Sequence, residues 1–327
     1  MYSLLKGRNY FFTITYIELL LCTFLYGNKS RESSVTKEEI NSLTNVITDS
    51  DNIYYLNDYL NSLDENNSSS YFRVYVPYDS LYWSFSHDLS IIYNINGLST
   101  YDSTYAQSFN KMRNMVSDGI RGYIDWEFDI TNDDVMSFLN TKYSITTCEE
   151  EIPFSDYEIV DDTYRGTLIV AENKSYRPLA TSYSKTMTYE TFEKEYDNDI
   201  SLLNEYVVTD SDISSLLGNN NAYLENIIYY DNTLTGTVHS DDNTFMVLGL
   251  PYDEGWKILV NGEEVDYIEC NGGVIGFAIN AGDNNIEMYF TPQGFKAGAI
   301  ATVCGLVAFA GIIIVDVMKK RRTVWKY

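Results

Sequence analysis

The chain has 327 residues and 45% hydrophobic content, enough for about two folded units and unlike a disordered polymer. Its formal charge of −25 excludes a nucleic-acid-binding surface, which needs clustered Lys and Arg, and only the two ends carry such clusters. The acidity reads as a solvated surface that keeps an outward-facing domain soluble.

Taken in chain order, residues 10–26 (YFFTITYIELLLCTFLY) are apolar apart from Glu18 and the threonines, and Lys6 and Arg8 precede them. They predict a membrane helix over residues 1–27 whose basic start stays in the cytoplasm. A signal peptide is the alternative, but no small-residue cleavage pattern follows, since the chain continues Leu25-Tyr26-Gly27-Asn28-Lys29. Glu18 is then an ionisable group inside a span. Such groups face a protein partner or an aqueous cavity, so Glu18 points to further membrane helices or a polytopic subunit.

Residues 28–70 are polar, with helices expected over 36–47 and 53–63 and a linker at 65–70 (ENNSSS). A mixed α/β extracytoplasmic domain is expected over 71–222. Its predicted strands are 71–78 (YFRVYVPY), 143–147 and 164–172, and its predicted helices are 105–115, 133–139 and an exposed, charged stretch over 188–205. From residue 223 the pattern becomes continuous β. Strands are predicted at 226–230, 233–240, 244–250, 256–260, 264–269, 274–279 and 284–290, separated by turns such as Asn261-Gly262 and Asn271-Gly272-Gly273. This spacing predicts an antiparallel β-sandwich over 223–296.

Residues 297–315 (AGAIATVCGLVAFAGIIIV) contain no charge and are about 28 Å long as a helix, enough to cross a membrane. Asp316 follows, and then Lys319, Lys320, Arg321 and Arg322 form a cytoplasmic anchor. The fold class is therefore α+β with a C-terminal antiparallel β-sandwich, flanked by two transmembrane helices (the second over 297–317) and a basic cytoplasmic tail over 318–327. Both sets of basic residues put the main domain outside the cytoplasm, with membrane lipid as a partner.

Chemistry is sparse. Two histidines, His87 and His239, are too few for a His-based metal cluster, so no metal site and no cofactor is assigned. Asp125-Trp126-Glu127-Phe128-Asp129 and Asp210-Ser211-Asp212 lack the Gly and distal Glu of a calcium loop. Cys148 and Cys270 either pair or remain free thiols. Trp83, Phe85, His87 and Trp256 are candidate glycan contacts, because an amphipathic ring suits a sugar face; Trp256, which opens a sandwich strand after Gly255, reads more readily as packing.

The run Asp253-Glu254-Gly255-Trp256-Lys257, with Val260-Asn261-Gly262, Asn271-Gly272, Ala281-Gly282, 289–292 and Gly298, resembles the C-terminal signature of the YfhO family. Softer matches are Ile17-Glu18-Leu19-Leu20, Phe72-Arg73-Val74, 96–101 (NGLSTY) with Ser103, Leu139-Asn140-Thr141-Lys142-Tyr143, and Glu172-Asn173 through Arg177-Pro178. Position 261 is Asn where the family pattern leads one to expect Asp, which keeps the turn.

The resemblance implies a bacterial membrane protein of the GT-C glycosyltransferase type, using a lipid-linked sugar donor outside the membrane. It also implies a long multi-span N-terminal part with a catalytic acidic residue in its first extracytoplasmic loop. This sequence resembles only the C-terminal portion, as a truncated product or one half of a split protein would, so no residue is assigned a catalytic role. The expectation is an accessory or substrate-guiding extracytoplasmic domain acting on cell-envelope polymers. Its rival is a stand-alone, membrane-anchored surface protein that binds glycan or protein.

Overall fold

In the computed structural model, the described residues are 56–63, 71–75, 96–98, 108, 111–112, 115, 133–146, 152, 155–164, 168–218, 221–230 and 232–324. All of them belong to one unit, Leu56–Tyr327. The first predicted span, the 36–47 helix and the linker lie outside them.

The helices are α1 (Leu56–Leu63), α2 (Asp133–Phe138), α3 (Tyr189–Tyr196) and α4 (Phe295–Val324). Residues 108, 111, 112 and 115, within the predicted 105–115 helix, are helical. The strands are β1 (Arg73–Tyr75), β2 (Thr141–Thr146), β3 (Tyr157–Tyr164), β4 (Leu168–Asn173), β5 (Ala180–Tyr183), β6 (Lys185–Met187), β7 (Tyr206–Val208) and β8 (Glu225–Tyr230). Continuing, they are β9 (Thr233–Ser240), β10 (Thr244–Pro251), β11 (Trp256–Val260), β12 (Glu263–Glu264), β13 (Tyr267–Cys270), β14 (Val274–Ile279) and β15 (Gly282–Phe290).

The predicted sandwich is present as two sheets, in strand orders β13-β14-β10-β5 and β12-β11-β15-β9-β8. Alternate residues of both face one shared core, including Leu234, Val238, Met246, Leu248, Ile258, Phe277, Ile286 and Met288. Asn261 and Gly262 take positive φ of 55° and 83°, the mirror-image turn that suits a two-residue hairpin between β11 and β12. The first sheet's edge strand β5 comes from ahead of residue 223, so the sandwich recruits a strand from the stretch read as mixed α/β.

The β13-β14-β10-β5 sheet is covered on both faces. Side chains that alternate away from the sandwich core, Tyr183, Phe245 and Val247, join a second core with Val135, Met136, Phe138, Phe192, Leu203 and Val207. Strand β10 is accordingly apolar at nearly every position rather than alternating, as a doubly buried strand requires. A further sheet, β1-β2-β4-β3, contains a parallel β1–β2 pair, and β6 pairs with β7 in parallel.

The stretch read as one charged helix over 188–205 is split. Thr188 caps α3 by accepting from the Thr191 N–H, Asp197 ends it at φ 50°, and a 3-10 turn over Ile200–Asn204 follows. Left-handed Asp197 and Asn198 cannot continue an α-helix. Of the two predicted spans, one is within the described residues: Phe295–Val315 of α4 is 21 residues long, and by length and composition it can cross a membrane.

Candidate functional site

The signature run forms a turn between β10 and β11 that is bonded to the connector leading into α4. Gly255 N–H donates to Asp253 Oδ1 at 2.7 Å, and Trp256 N–H donates to the Asp253 carbonyl at 3.3 Å. Thr291 N–H donates to the Gly255 carbonyl at 2.9 Å, and Gln293 Nε2 donates to Glu254 Oε2 at 2.6 Å. A Cβ on Gly255 would lie 2.5 Å from the Thr291 carbonyl oxygen, so this close approach admits only glycine. The helix then starts at once, with Phe295 N–H on the Pro292 carbonyl and Gly298 N–H on the Gly294 carbonyl.

Trp256 belongs to this junction. Its ring packs on Phe290 with centroids 5.0 Å apart and planes tilted by 50°, and its Nε1–H donates to the Pro251 carbonyl at 3.3 Å. It is half-buried against the sandwich core, a packing role, and only part of its face is open to a sugar. Tyr267 Oη donates to the Trp256 carbonyl at 2.8 Å and stacks obliquely on Tyr252. Burial, followed by neighbouring carboxylates led by Glu254, pushes the Tyr252 hydroxyl above its usual range.

Trp83, Phe85, His87 and Glu18 lie outside the described residues. Lys319, Lys320, Arg321 and Arg322 fall in the last turns of α4. Cys148 is also outside, whereas Cys270 is a free, buried thiol, pushed upward by burial, and is no nucleophile at neutral pH. Among the described residues no group of three or more His, Cys, Asp and Glu could hold a metal. His239 bonds Asp283 at 2.6 Å and lies 3.7 Å from Asp241, so carboxylates flank it. What the bonds of the signature turn do is hold the connector against it.

A second node ties the sheets together. Arg73 donates to the Leu139 carbonyl at 2.8 Å, to Asn140 Oδ1 at 3.1 Å and to the Gly249 carbonyl at 2.7 Å. Asn140, at φ 59°, donates in turn to the Pro178 carbonyl at 2.9 Å. A Cβ on Gly249 would run into the Asn140 side-chain amide, so a larger residue there would have to displace Asn140 from this node. Arg73, Asn140 and Arg177-Pro178 are the softer motifs of the sequence, and the structure brings them together with Gly249.

Sequence reasoning missed an exposed row on the outer face of the β8–β9–β15 sheet. Tyr230 and Tyr289 both register with Thr233, and Lys257 registers with Tyr289. The signal was available in 225–230 (ENIIYY), whose apolar residues do not alternate although the strand is half-exposed.

Residues 219–302 match the family model described as bacterial membrane protein YfhO. A relative, the uncharacterized protein YfhO of Bacillus subtilis (strain 168), is 28% identical over 94 residues. Those residues are 29% of this chain and only 11% of the relative, so the alignment spans a small part of the relative's length. The family match covers the sandwich from β8 to β15, the signature turn and the first turns of α4.

Proposed function

We propose, from the premise that this chain belongs with the YfhO membrane-protein family through its C-terminal domain, that it is an extracytoplasmic accessory domain. It guides substrate for a membrane glycosyltransferase of the GT-C type that builds cell-envelope polymers. The observation that carries this reading is the fixed junction: the signature turn is bonded at Gly255 and Glu254 to the connector entering α4. A domain held that way keeps a set height over the membrane, where a lipid-linked donor would be presented. Its role is positional, with catalysis supplied by a polytopic partner that Glu18 would face. The basic tail, Lys319 to Arg322, orients the domain outward.

The test is the native size of the protein in its own membranes, by immunoblot before and after mild crosslinking. The expected result is a species far above 37.5 kDa, reduced about tenfold by Glu18→Leu. A lone band near the chain mass under both conditions would overturn the assembly and leave the anchored surface protein.

A further inference from the structure

The outer face of the β8–β9–β15 sheet carries, at the end that leads into α4, aromatic side chains that are exposed among the described residues. Tyr230 is 73% exposed, Ile228 66% and Tyr289 37%. Tyr230 and Tyr289 lie in one cross-strand row through Thr233, with exposed Lys257 beyond Tyr289. Ile228 registers with Thr235, one row further along the same face. A solvated sheet face usually carries polar residues there, so this run is an apolar feature at one end of an acidic domain.

Its position in the chain identifies what it meets. Asn232, two residues beyond Tyr230, is bonded twice to Phe290: it accepts from the Phe290 N–H at 2.8 Å and donates from Nδ2 to the Phe290 carbonyl at 2.8 Å. Phe290 is five residues ahead of Phe295, the start of the 21-residue apolar stretch. Even fully extended, that connector spans no more than about 18 Å. It is far from extended, because Thr291 and Gln293 are bonded to the signature turn and Gly294 turns at φ 76°. The headgroup layer on one side of a bilayer is about 5–8 Å thick, so the Tyr230–Tyr289 row is placed at that layer. Tyrosine favours such a boundary, because its ring enters the acyl edge while its hydroxyl stays in the polar layer, where Tyr289 Oη donates to Glu287 at 2.7 Å. Lys257 pairs with Glu264 at 3.0 Å on an exposed face, an ion pair weak enough to be exchanged for a lipid phosphate.

We infer that Tyr230, Tyr289 and Lys257, with Ile228 behind them, form a lipid-contacting belt that seats the sandwich on the headgroup layer. The inference rests on the membrane reading of α4 and not on the glycosyltransferase role. A sandwich anchored both by α4 and by this row, which crosses the sheet from Lys257 on β11 to Tyr230 on the edge strand β8, cannot swing about its connector. The row is thus the second contact that keeps the domain at a fixed tilt.

The test places a photo-crosslinking aromatic, p-benzoylphenylalanine, singly at positions 230, 289 and 239 of the full chain. The chains are reconstituted in vesicles of phosphatidylcholine and phosphatidylglycerol, three to one. Tyr230 and Tyr289 are exposed, and an aromatic replaces an aromatic, so folding is retained; His239, at the opposite end of β9, is the control. Lipid adducts read by mass spectrometry are expected to be at least about tenfold more abundant from 230 and 289 than from 239. Equal adduct yields overturn the inference, as do crosslinks from 230 that join two protein chains in place of lipid. Carbonate extraction of the same vesicles separates the two readings. A chain stripped from the vesicles refutes the membrane reading and this inference with it, whereas a retained chain without adducts refutes the belt alone.

Discussion

Asn271 shows how much one side chain can carry. It is fully buried at φ 46°, its Nδ2 donates to the Leu203 and Tyr206 carbonyls at 3.2 and 3.1 Å, and its Oδ1 accepts from the Val208 N–H at 2.8 Å. Next to it, Gly272 N–H donates to Tyr189 Oη, whose hydroxyl is pushed up to about 12, mainly by burial. Asn271→Ala removes the amide partner of the Val208 N–H and of the Tyr206 carbonyl, while the Leu203 carbonyl keeps the Tyr183 hydroxyl at 2.9 Å, and a destabilisation of about 2–4 kcal/mol is expected in urea unfolding of the detergent-solubilised chain. A loss below about 0.5 kcal/mol would show that water replaces those bonds. The sequence marked Asn271-Gly272-Gly273 as a turn, and it is one. Its burial was not legible, because an Asn at positive φ reads the same whether solvent or a neighbouring strand answers its amide.

His239 gives a pH prediction at the same scale. Hydrogen bonding to Asp283 raises its pKa above 6.5, and the charges of Asp283 and Asp241 add to this. A raised folded pKa means that the contribution to stability is fully present below the unfolded value, near 6.5. It is lost as pH rises through the folded value. The imidazole is largely solvent-exposed, so the effect is read by NMR titration rather than by unfolding. The His239 midpoint should lie above 6.5 and fall toward it in Asp283→Asn; an unchanged midpoint in that variant would remove Asp283 as the cause.

At the scale of elements, strand prediction succeeded where turn chemistry was explicit. Strands β9, β11 and β14 match their sequence-derived ranges, because Asn-Gly and Asp-Asn pairs bracket them. It failed for β5, four residues (ATSY) just after Pro178, with neither length nor alternation to mark it. Strand β3 (YEIVDDTY) was also missed, since two adjacent aspartates in a strand defeat any propensity argument; it survives at the edge of its sheet. Helix α3 offers a local test. Its cap, Thr188 Oγ1, accepts from the Thr191 N–H at 3.1 Å, and Lys194 pairs with Glu190 at 2.7 Å on an exposed face. Thr188→Ala should cost about 1 kcal/mol in unfolding, whereas Lys194→Ala should change stability by less than about 0.5 kcal/mol. The reverse order would place the helix's stability in the ion pair rather than in the cap.

At the scale of the whole molecule, what was legible was the order of parts: a β-sandwich continuing into an apolar helix with a basic end. What was not legible was the stiffness of the joint. The residues that make the joint, Gly255, Glu254, Thr291 and Gln293, are surface polar groups or a glycine, and sequence alone assigns such residues to loops. Only their mutual bonds reveal a fixed connector. Gly255→Ala tests it directly, since the added Cβ would sit 2.5 Å from the Thr291 carbonyl oxygen and must push the connector off the turn. Overpacking of this kind costs about 1–3 kcal/mol, and 1–2 kcal/mol corresponds to a factor of about 5–30 in the population of an opened state. Proteinase K cleavage within residues 291–296 of the full chain in vesicles should therefore rise by at least about fivefold in Gly255→Ala. Gln293→Ala, which removes one exposed bond to Glu254, should raise it less than threefold. If Gly255→Ala were cut no faster than the native chain, the sandwich and α4 would be joined by a tether rather than a strut. The domain's fixed height over the membrane would then be lost as an argument for its function.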